Sequence, residues 1–242
     1  MPFLPLRDEN PLRVIPFQAI TVSIIAVCVL VFLWQISLPP REQQAIAYSL
    51  GAIPAVILGT AELPPELVMV PEIFTWITAM FLHGGVMHLG GNMLYLWVFG
   101  DNIEDSMGHL RFIVFYLLCG VVATAAQALA DPTSTVPTIG ASGAISGVLG
   151  GYLVLHPQVR VLVLVLFRIP IHLPAFIVLG GWIGLQLLNA AIDTGGEGGG
   201  GVAWWAHIGG FLAGMVLIVF FRRRTVPLFD RGVRHGPWNR RH

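Results

Sequence analysis

The sequence has little charge and no lysine. Asp, Glu, Lys and Arg make up 11% of its 242 residues, and all 13 basic residues are arginine. Soluble domains carry about 25% charged residues, whereas 55% of this chain is apolar. The composition excludes an ordinary soluble domain and predicts a membrane protein.

Cysteine is also scarce. Cys28 and Cys119 both lie in apolar runs, where a small buried side chain is the usual role. Neither belongs to a CxxC or Cys/His spacing, so the sequence indicates no metal and no cofactor. The first apolar run is too long for a signal-peptide core and lacks a clear cleavage site. We expect it to be an uncleaved membrane anchor.

The chain contains six apolar segments separated by more polar stretches. The six segments are about 17–38, 86–100, 110–130, 141–155, 173–192 and 202–221. They predict an all-α fold, a six-transmembrane-helix bundle over 17–221, between an N-terminal segment at 1–16 and an arginine-rich tail at 222–242. The fourth segment has room for only about 22 Å of helix against a hydrocarbon core of about 30 Å. We therefore expect a short fourth helix that begins below the membrane surface.

The arginines orient this bundle. With both termini in the cytoplasm, 12 of the 13 arginines lie inside and only Arg41 lies outside, as the positive-inside rule requires. We expect a multi-pass protein of a cell inner membrane, with N- and C-termini cytoplasmic. The simplest expectation for the tail, 222–242, is a topology anchor that contacts anionic headgroups, with a regulatory role as the alternative.

Polar residues inside apolar segments are costly and point to function. They form three groups: His83, His88 and Asn92 before and in the second segment, Ser142 in the fourth, and His207 in the sixth. All three groups lie where their segments begin, and all three segments run from outside to inside. These side chains are therefore expected at one depth, in the outer half of the membrane.

The residue types suit acyl transfer. A serine hydroxyl becomes nucleophilic when a histidine accepts its proton, which suggests Ser142 as nucleophile and His207 as base. His88 and Asn92 lie four apart on one helical face and can donate to an oxyanion, as can the unpaired N–H of Ser142. His83 is a further supporting residue, whose alternative role is to bind loop backbone. Because no acidic residue lies at this depth, we expect a Ser–His dyad opening to the outside.

Glycines provide the close approach that such a dyad needs. Gly143, Gly147 and Gly151 repeat every four residues in the fourth segment, and Gly210 and Gly214 do so in the sixth. Small-xxx-small faces let two helix backbones pack closely. This predicts that the fourth and sixth helices touch.

Each of these motifs is common alone, but together they resemble the rhomboid family of intramembrane serine proteases. The resemblance rests on His83, His88 and Asn92, on the GxSG motif at 140–143, and on His207 with Gly210 and Gly214. It covers roughly residues 15–221. It implies a six-helix bundle whose short fourth helix is central and carries the nucleophile. It also implies hydrolysis of a peptide bond in or beside transmembrane segments of single-span or polytopic membrane proteins in the lipid bilayer, through a covalent acyl-enzyme and without metal, cofactor or nucleic acid.

One departure from the family and two competing functions stay open at this stage. Some bacterial members carry an aromatic residue four positions after the nucleophile, which stacks on the catalytic histidine. Here that position is Ser146, so another group must orient His207. The competing functions are a catalytically inactive rhomboid-like binder of transmembrane helices and a small transporter or channel, which would place its polar groups near the midplane.

Overall fold

The computed structural model describes residues 3–165, 168–193 and 202–230. In these ranges the chain is mostly helical, with one small sheet. The elements in chain order are β1 (Phe3–Asp8), α1 (Ala19–Ser37), α2 (Pro40–Leu50), α3 (Pro54–Ile57), α4 (Glu72–Thr78), α5 (Val86–Met107), α6 (His109–Ala130), α7 (Ser142–Leu155), β2 (Arg160–Val165), β3 (Ile169–Pro174), α8 (Ala175–Ile192) and α9 (Trp204–Phe221). Short 3₁₀ turns lie at Pro65–Leu67 and Ala79–Phe81.

Several helices have the length and hydropathy of membrane spans. Among the described residues, α1, α6, α8 and α9 are long and apolar enough to cross a bilayer. A fifth candidate is the pair formed by Glu72–Phe81 and α5, which meet at a bend of 83°. The fourth predicted segment is the shorter apolar α7. The helical membrane bundle is thus confirmed, whereas the count of six spans stays a prediction.

Helix α7 is the centre of the bundle. Every residue from Gly143 to Tyr152 is buried, and the helix packs mainly against α6 and α9. It follows Gly140, whose φ of +125° favours glycine, and ends at His156 before Pro157. Its 14 residues give about 21 Å of helix, so the predicted short central helix is present.

A three-stranded antiparallel sheet was not predicted. Its order is β1-β2-β3, and the buried Val161 and Val163 of β2 pair with Leu173 and Ile171 of β3. The fifth segment was expected to begin at Leu173, but that residue belongs to β3 and α8 begins at Ala175. Residues 161–165 are all valine or leucine, so β2 carries no polar alternation that would mark it as a strand.

We call the end of the bundle with the sheet the terminal end, and the opposite end the site end. At the terminal end the chain before α1 and the first turn of α1 are held by carboxylates of α5. Asp105 accepts the backbone N–H groups of Arg13, Val14 and Ile15 at 2.7 to 2.9 Å. Glu104, which is fully buried, accepts those of Ile20 and Thr21.

The chain after α9 also returns to the terminal end. The N–H of Arg223 donates to the carbonyl of Ser106, and that of Phe229 donates to the carbonyl of Val154. Of the predicted arginine-rich tail, residues 231–242 lie outside the described residues.

Candidate active site

Ser142 and His207 meet at the site end. Ser142 is the first residue of α7, and His207 lies in the first turn of α9. The Ser142 Oγ and His207 Nε2 atoms are 2.9 Å apart, within normal hydrogen-bond range. Ser142 is partly exposed and the imidazole is buried. A hydroxyl and a base from two helices are therefore in direct contact.

The close approach of the two helices comes from their glycines. A Cβ built on Gly210 would lie 2.0 Å from the Gly143 carbonyl oxygen, and one on Gly214 would lie 1.8 Å from that of Gly147. The structure adds Gly150, where a Cβ would lie 2.1 Å from the carbonyl oxygen of Phe211. At Gly151, which was predicted in the same row, a Cβ would meet side chains only: Phe115 Cζ at 3.3 Å and Ile218 of α9 at 3.5 Å. Backbone thus lies against backbone along the α7–α9 contact.

The other nitrogen of His207 has a partner that sequence reasoning missed. Nδ1 lies 2.7 Å from Oε1 of Gln186, a buried residue of α8. The ring of Trp182, one turn earlier on α8, lies 5.8 Å from the imidazole with an interplanar angle of 41°, and Trp204 approaches at 6.3 Å edge-on. These groups contact His207 although position 146 is a serine. A polar residue within the fifth apolar segment was the available signal.

His88 faces the same space as Ser142. The space between the two side chains lies beside Gly140, which has no Cβ. A Cβ built there would lie 2.8 Å from His88 Nε2 and 3.7 Å from Ser142 Oγ. The N–H of Gly84 donates to His88 Nδ1 at 3.3 Å. A neutral ring that accepts at Nδ1 carries its proton on Nε2, and this proton faces the space beside Ser142.

Asn92 and His83 lie around His88. The amide nitrogen of Asn92 donates along its own helix to the His88 carbonyl at 3.0 Å. The His83 ring packs edge-on to that of His88, with centroids 5.3 Å apart. His83 binds loop backbone through Nδ1 and the Phe81 carbonyl at 3.3 Å, and its own N–H donates to Gln35 Oε1. Its Nε2 is buried without a partner among the described residues.

The Ser142 backbone N–H is the other predicted donor. The first backbone hydrogen bond of α7 runs from Ile145 to the carbonyl of Ala141. The N–H of Ser142 therefore precedes the hydrogen-bonded ladder of the helix. It lies beside its own hydroxyl, where an oxyanion would form.

A small cavity of about 20 Å³ adjoins Ser142, enough for about one water molecule. Its lining is dominated by alanine and glycine, with the hydroxyl-bearing Thr124 and Thr138 and with Ser142 itself. Within the described part of the chain, no group of three or more His, Cys, Asp or Glu residues is placed to hold a metal ion.

The model of the rhomboid domain family matches residues 70–224, a range that contains Ser142, His207 and the other predicted site residues. The rhomboid protease GluP of Bacillus subtilis is 34% identical over 152 residues, which are 63% of this chain and 27% of that protein. The mitochondrial rhomboid protein 1 of Saccharomyces cerevisiae is 29% identical over 58% of this chain and 39% of its own length.

A plant relative matches over a longer stretch. The chloroplastic Rhomboid-like protein 11 of Arabidopsis thaliana is 29% identical over 172 residues, which are 68% of this chain and 58% of that protein. The matched stretches cover between 27% and 58% of the length of these three curated relatives. Since the family model spans well over half of the sequence, with the serine and histidine inside the match, the chain belongs to the rhomboid family.

Proposed function

We propose that the chain is an intramembrane serine endopeptidase that cleaves transmembrane segments of membrane proteins through a Ser142–His207 dyad. The observation that carries the proposal is the 2.9 Å contact between Ser142 Oγ and His207 Nε2 at adjoining helix ends of a rhomboid-family chain. A hydroxyl in contact with an imidazole nitrogen is the arrangement that activates serine for attack on a carbonyl.

The reaction takes two steps. In the first, Ser142 Oγ attacks the substrate carbonyl carbon while His207 Nε2 accepts the hydroxyl proton. His207 then gives this proton to the leaving amine, the peptide bond breaks, and an acyl-enzyme ester remains on Ser142. In the second step, His207 takes a proton from water, the hydroxide attacks the ester, and the proton returns to Ser142 Oγ as the acid leaves. The cavity beside Ser142 has room for this water.

Negative charge on the substrate oxygen needs donors that are already in place. The Nε2 proton of His88 and the backbone N–H of Ser142 serve this role in the proposed mechanism. Asn92 fixes the first turn of α5 through the His88 carbonyl and adds a donor group on the same helix face. His83 supports His88 by ring contact.

We further propose that the site end opens to the outside and that both termini are cytoplasmic, in a cell inner membrane. The support is the placement of arginine. Arg7, Arg13, Arg111 and Arg160 lie in or beside elements at the terminal end, whereas Arg41 follows α1 towards the site end. The positive-inside rule places the arginine-rich end in the cytoplasm.

The test uses purified protein in detergent with a single-span substrate protein. We expect the parent to cleave it and the variants Ser142→Ala and His207→Ala to lose cleavage by at least about 10³-fold, because both members of the pair act together. The matched control is Ser146→Ala, which removes a hydroxyl one turn further along α7 that donates to the Ser142 carbonyl. It should retain cleavage and fluorophosphonate labelling of Ser142.

Two results would contradict the proposal. Equal cleavage by the parent and by Ser142→Ala would identify a contaminating protease. Binding of the substrate by the parent without cleavage or labelling would identify an inactive rhomboid-like binder instead.

A further inference from the structure

We propose that Gln186 is a positioning residue for His207: its side-chain oxygen holds Nδ1–H and thereby turns the Nε2 lone pair towards Ser142. The proposal rests on the proposed function. It concerns a residue of α8, a helix to which the sequence analysis assigned no part in the site.

The hydrogen bonds of the Gln186 amide fix which of its atoms faces the imidazole. Its nitrogen lies 3.4 Å from the carbonyl oxygen of Trp182. A carbonyl only accepts hydrogen bonds, so the NH₂ group belongs on that side. The oxygen, Oε1, then faces Nδ1 of His207 at 2.7 Å. An amide oxygen also only accepts, so Nδ1 must carry the proton.

This assignment settles the state of the imidazole. A neutral histidine with its proton on Nδ1 has its lone pair on Nε2, the atom 2.9 Å from Ser142 Oγ. Nε2 can then accept the serine proton. In the opposite tautomer Nε2–H would donate to Ser142 Oγ, so no lone pair would face the hydroxyl proton, and Oε1 would be left without a donor. Gln186 therefore selects the one neutral form that can act as a base.

The groups that face His207 come from several elements. Ser142 of α7 contacts Nε2, Gln186 of α8 contacts Nδ1, and the rings of Trp182 and Trp204 lie against the imidazole. Among the described residues, the titratable ring of His88, on α5, is the ionisable group whose charge would oppose protonation of His207. The partner of Nδ1 is thus an uncharged amide, in the place where serine proteases with a triad have a carboxylate.

An uncharged partner has a specific consequence. It orients the ring and fixes its tautomer, as a carboxylate would, but it adds no charge to stabilise the imidazolium that forms as serine attacks. Replacing Gln186 by glutamate keeps an acceptor for Nδ1–H and adds that charge. Replacing it by leucine removes the acceptor and leaves a buried N–H without a partner.

The experiment measures cleavage of the single-span substrate across pH for the parent, Gln186→Leu and Gln186→Glu. We expect Gln186→Leu to lower kcat by about 10- to 100-fold with little change in KM, because the wrong tautomer and rotamer become populated. We expect Gln186→Glu to be more active than Gln186→Leu, with the acidic limb of its pH–rate profile at higher pH, because the carboxylate favours the protonated imidazole.

If Gln186 had a purely structural role, the order of activity of the two variants would be reversed. A buried carboxylate is costlier than leucine, so Gln186→Glu would then be the worse variant and its pH profile would keep the parent's shape. That result, or parent kcat in Gln186→Leu, would overturn the proposal. Gln127→Leu is the matched control: the Gln127 amide oxygen accepts from the backbone N–H of Ala206, so its loss affects α9 but not the imidazole. It should leave the pH profile unchanged.

A spectroscopic measurement keeps this proposal separate from the proposed function. In ¹⁵N-labelled protein, the Nδ1 proton of His207 should give a downfield, slowly exchanging signal that is present in the parent and in Ser142→Ala and absent in Gln186→Leu. The signal does not depend on cleavage, so it still tests Gln186 if the parent proves inactive. An Nε2-protonated His207 in the parent would refute the positioning role even if cleavage is confirmed. This measurement on the parent is also the test if Gln186→Leu does not fold.

Discussion

Substituting Gly214 by alanine should separate the two helices that carry Ser142 and His207. Gly214 lies two turns after His207 on α9. A Cβ there would be 1.8 Å from the Gly147 carbonyl oxygen and 2.6 Å from the Gly147 Cα. All of these neighbours are backbone atoms, so no side chain can rotate away to make room.

The size of the displacement follows from these distances. Ordinary contact between a Cβ and its neighbours begins at 3.4 Å, so α9 must move from α7 by roughly 1.5 Å to accommodate one methyl group. Transmitted along a rigid helix, a shift of this size takes the Ser142–His207 contact from 2.9 Å out of hydrogen-bond range. A misplacement of about 1 Å costs about 10²-fold in rate, and overpacking costs about 1–3 kcal/mol of stability.

The assay compares Gly214→Ala with Gly180→Ala for substrate cleavage and thermal unfolding in detergent. Gly180 lies in α8 and a Cβ there has no neighbour within 4 Å. Alanine is favoured over glycine inside helices by about 1 kcal/mol, so Gly180→Ala should be neutral or stabilising. If Gly214→Ala cleaves at the parent rate with an unchanged unfolding temperature, the argument from backbone contact is wrong.

Two further predictions concern the terminal end. Burial raises the pKa of Asp8 to about 6, so the stability that the protonated carboxyl contributes is present below about pH 4 and is lost as pH rises through 6. The variant Asp8→Asn keeps an acceptor for the Tyr152 hydroxyl and should make the unfolding temperature less dependent on pH between 4 and 6. A pH dependence equal to the parent's would contradict this reasoning. Glu104→Gln should lower the free energy of unfolding by about 1–3 kcal/mol, because both carboxylate oxygens accept, Oε1 from the N–H of Ile20 and Oε2 from Thr21, and an amide would set its NH₂ group against one of these donors. The exposed Glu62→Gln is its control, and equal stabilities of parent and Glu104→Gln would refute the assignment.

Much of this architecture could be predicted because hydropathy and the placement of polar residues can both be read from short stretches of sequence. Hydropathy marks the segments that become α1, α5, α6, α7, α8 and α9. The restriction of polar residues within a membrane then singles out Ser142 and His207. Glycine spacing also identified Gly210 and Gly214, although in the last turns of α7 Gly150 lies against the α9 backbone while Gly151 lies against the Ile218 side chain. Neither step required knowledge of distant contacts.

The features that were missed depend on long-range contacts. Strand β1 pairs with β2, whose residues lie about 150 positions later in the chain, and no local pattern predicts that pairing. Gln186 lies in a segment that runs in the opposite direction to those with the other site residues, so a search among the second, fourth and sixth segments passes over it. Its role follows only from the distance between Oε1 and the imidazole.

The site therefore depends on two kinds of packing that differ in rigidity. The distance between Ser142 and His207 is set by the bundle core, where glycine backbones of α7 and α9 are in contact and permit no added atom. The orientation of the imidazole is set by α8, which packs mainly on α9 and has open space beside Gly180 and Gly184. A displacement of α8 alone would leave the serine–histidine distance intact while removing the acceptor from Nδ1. Perturbations of α8 should consequently lower kcat without unfolding the bundle, whereas perturbations of the α7–α9 contact should lower activity and stability together.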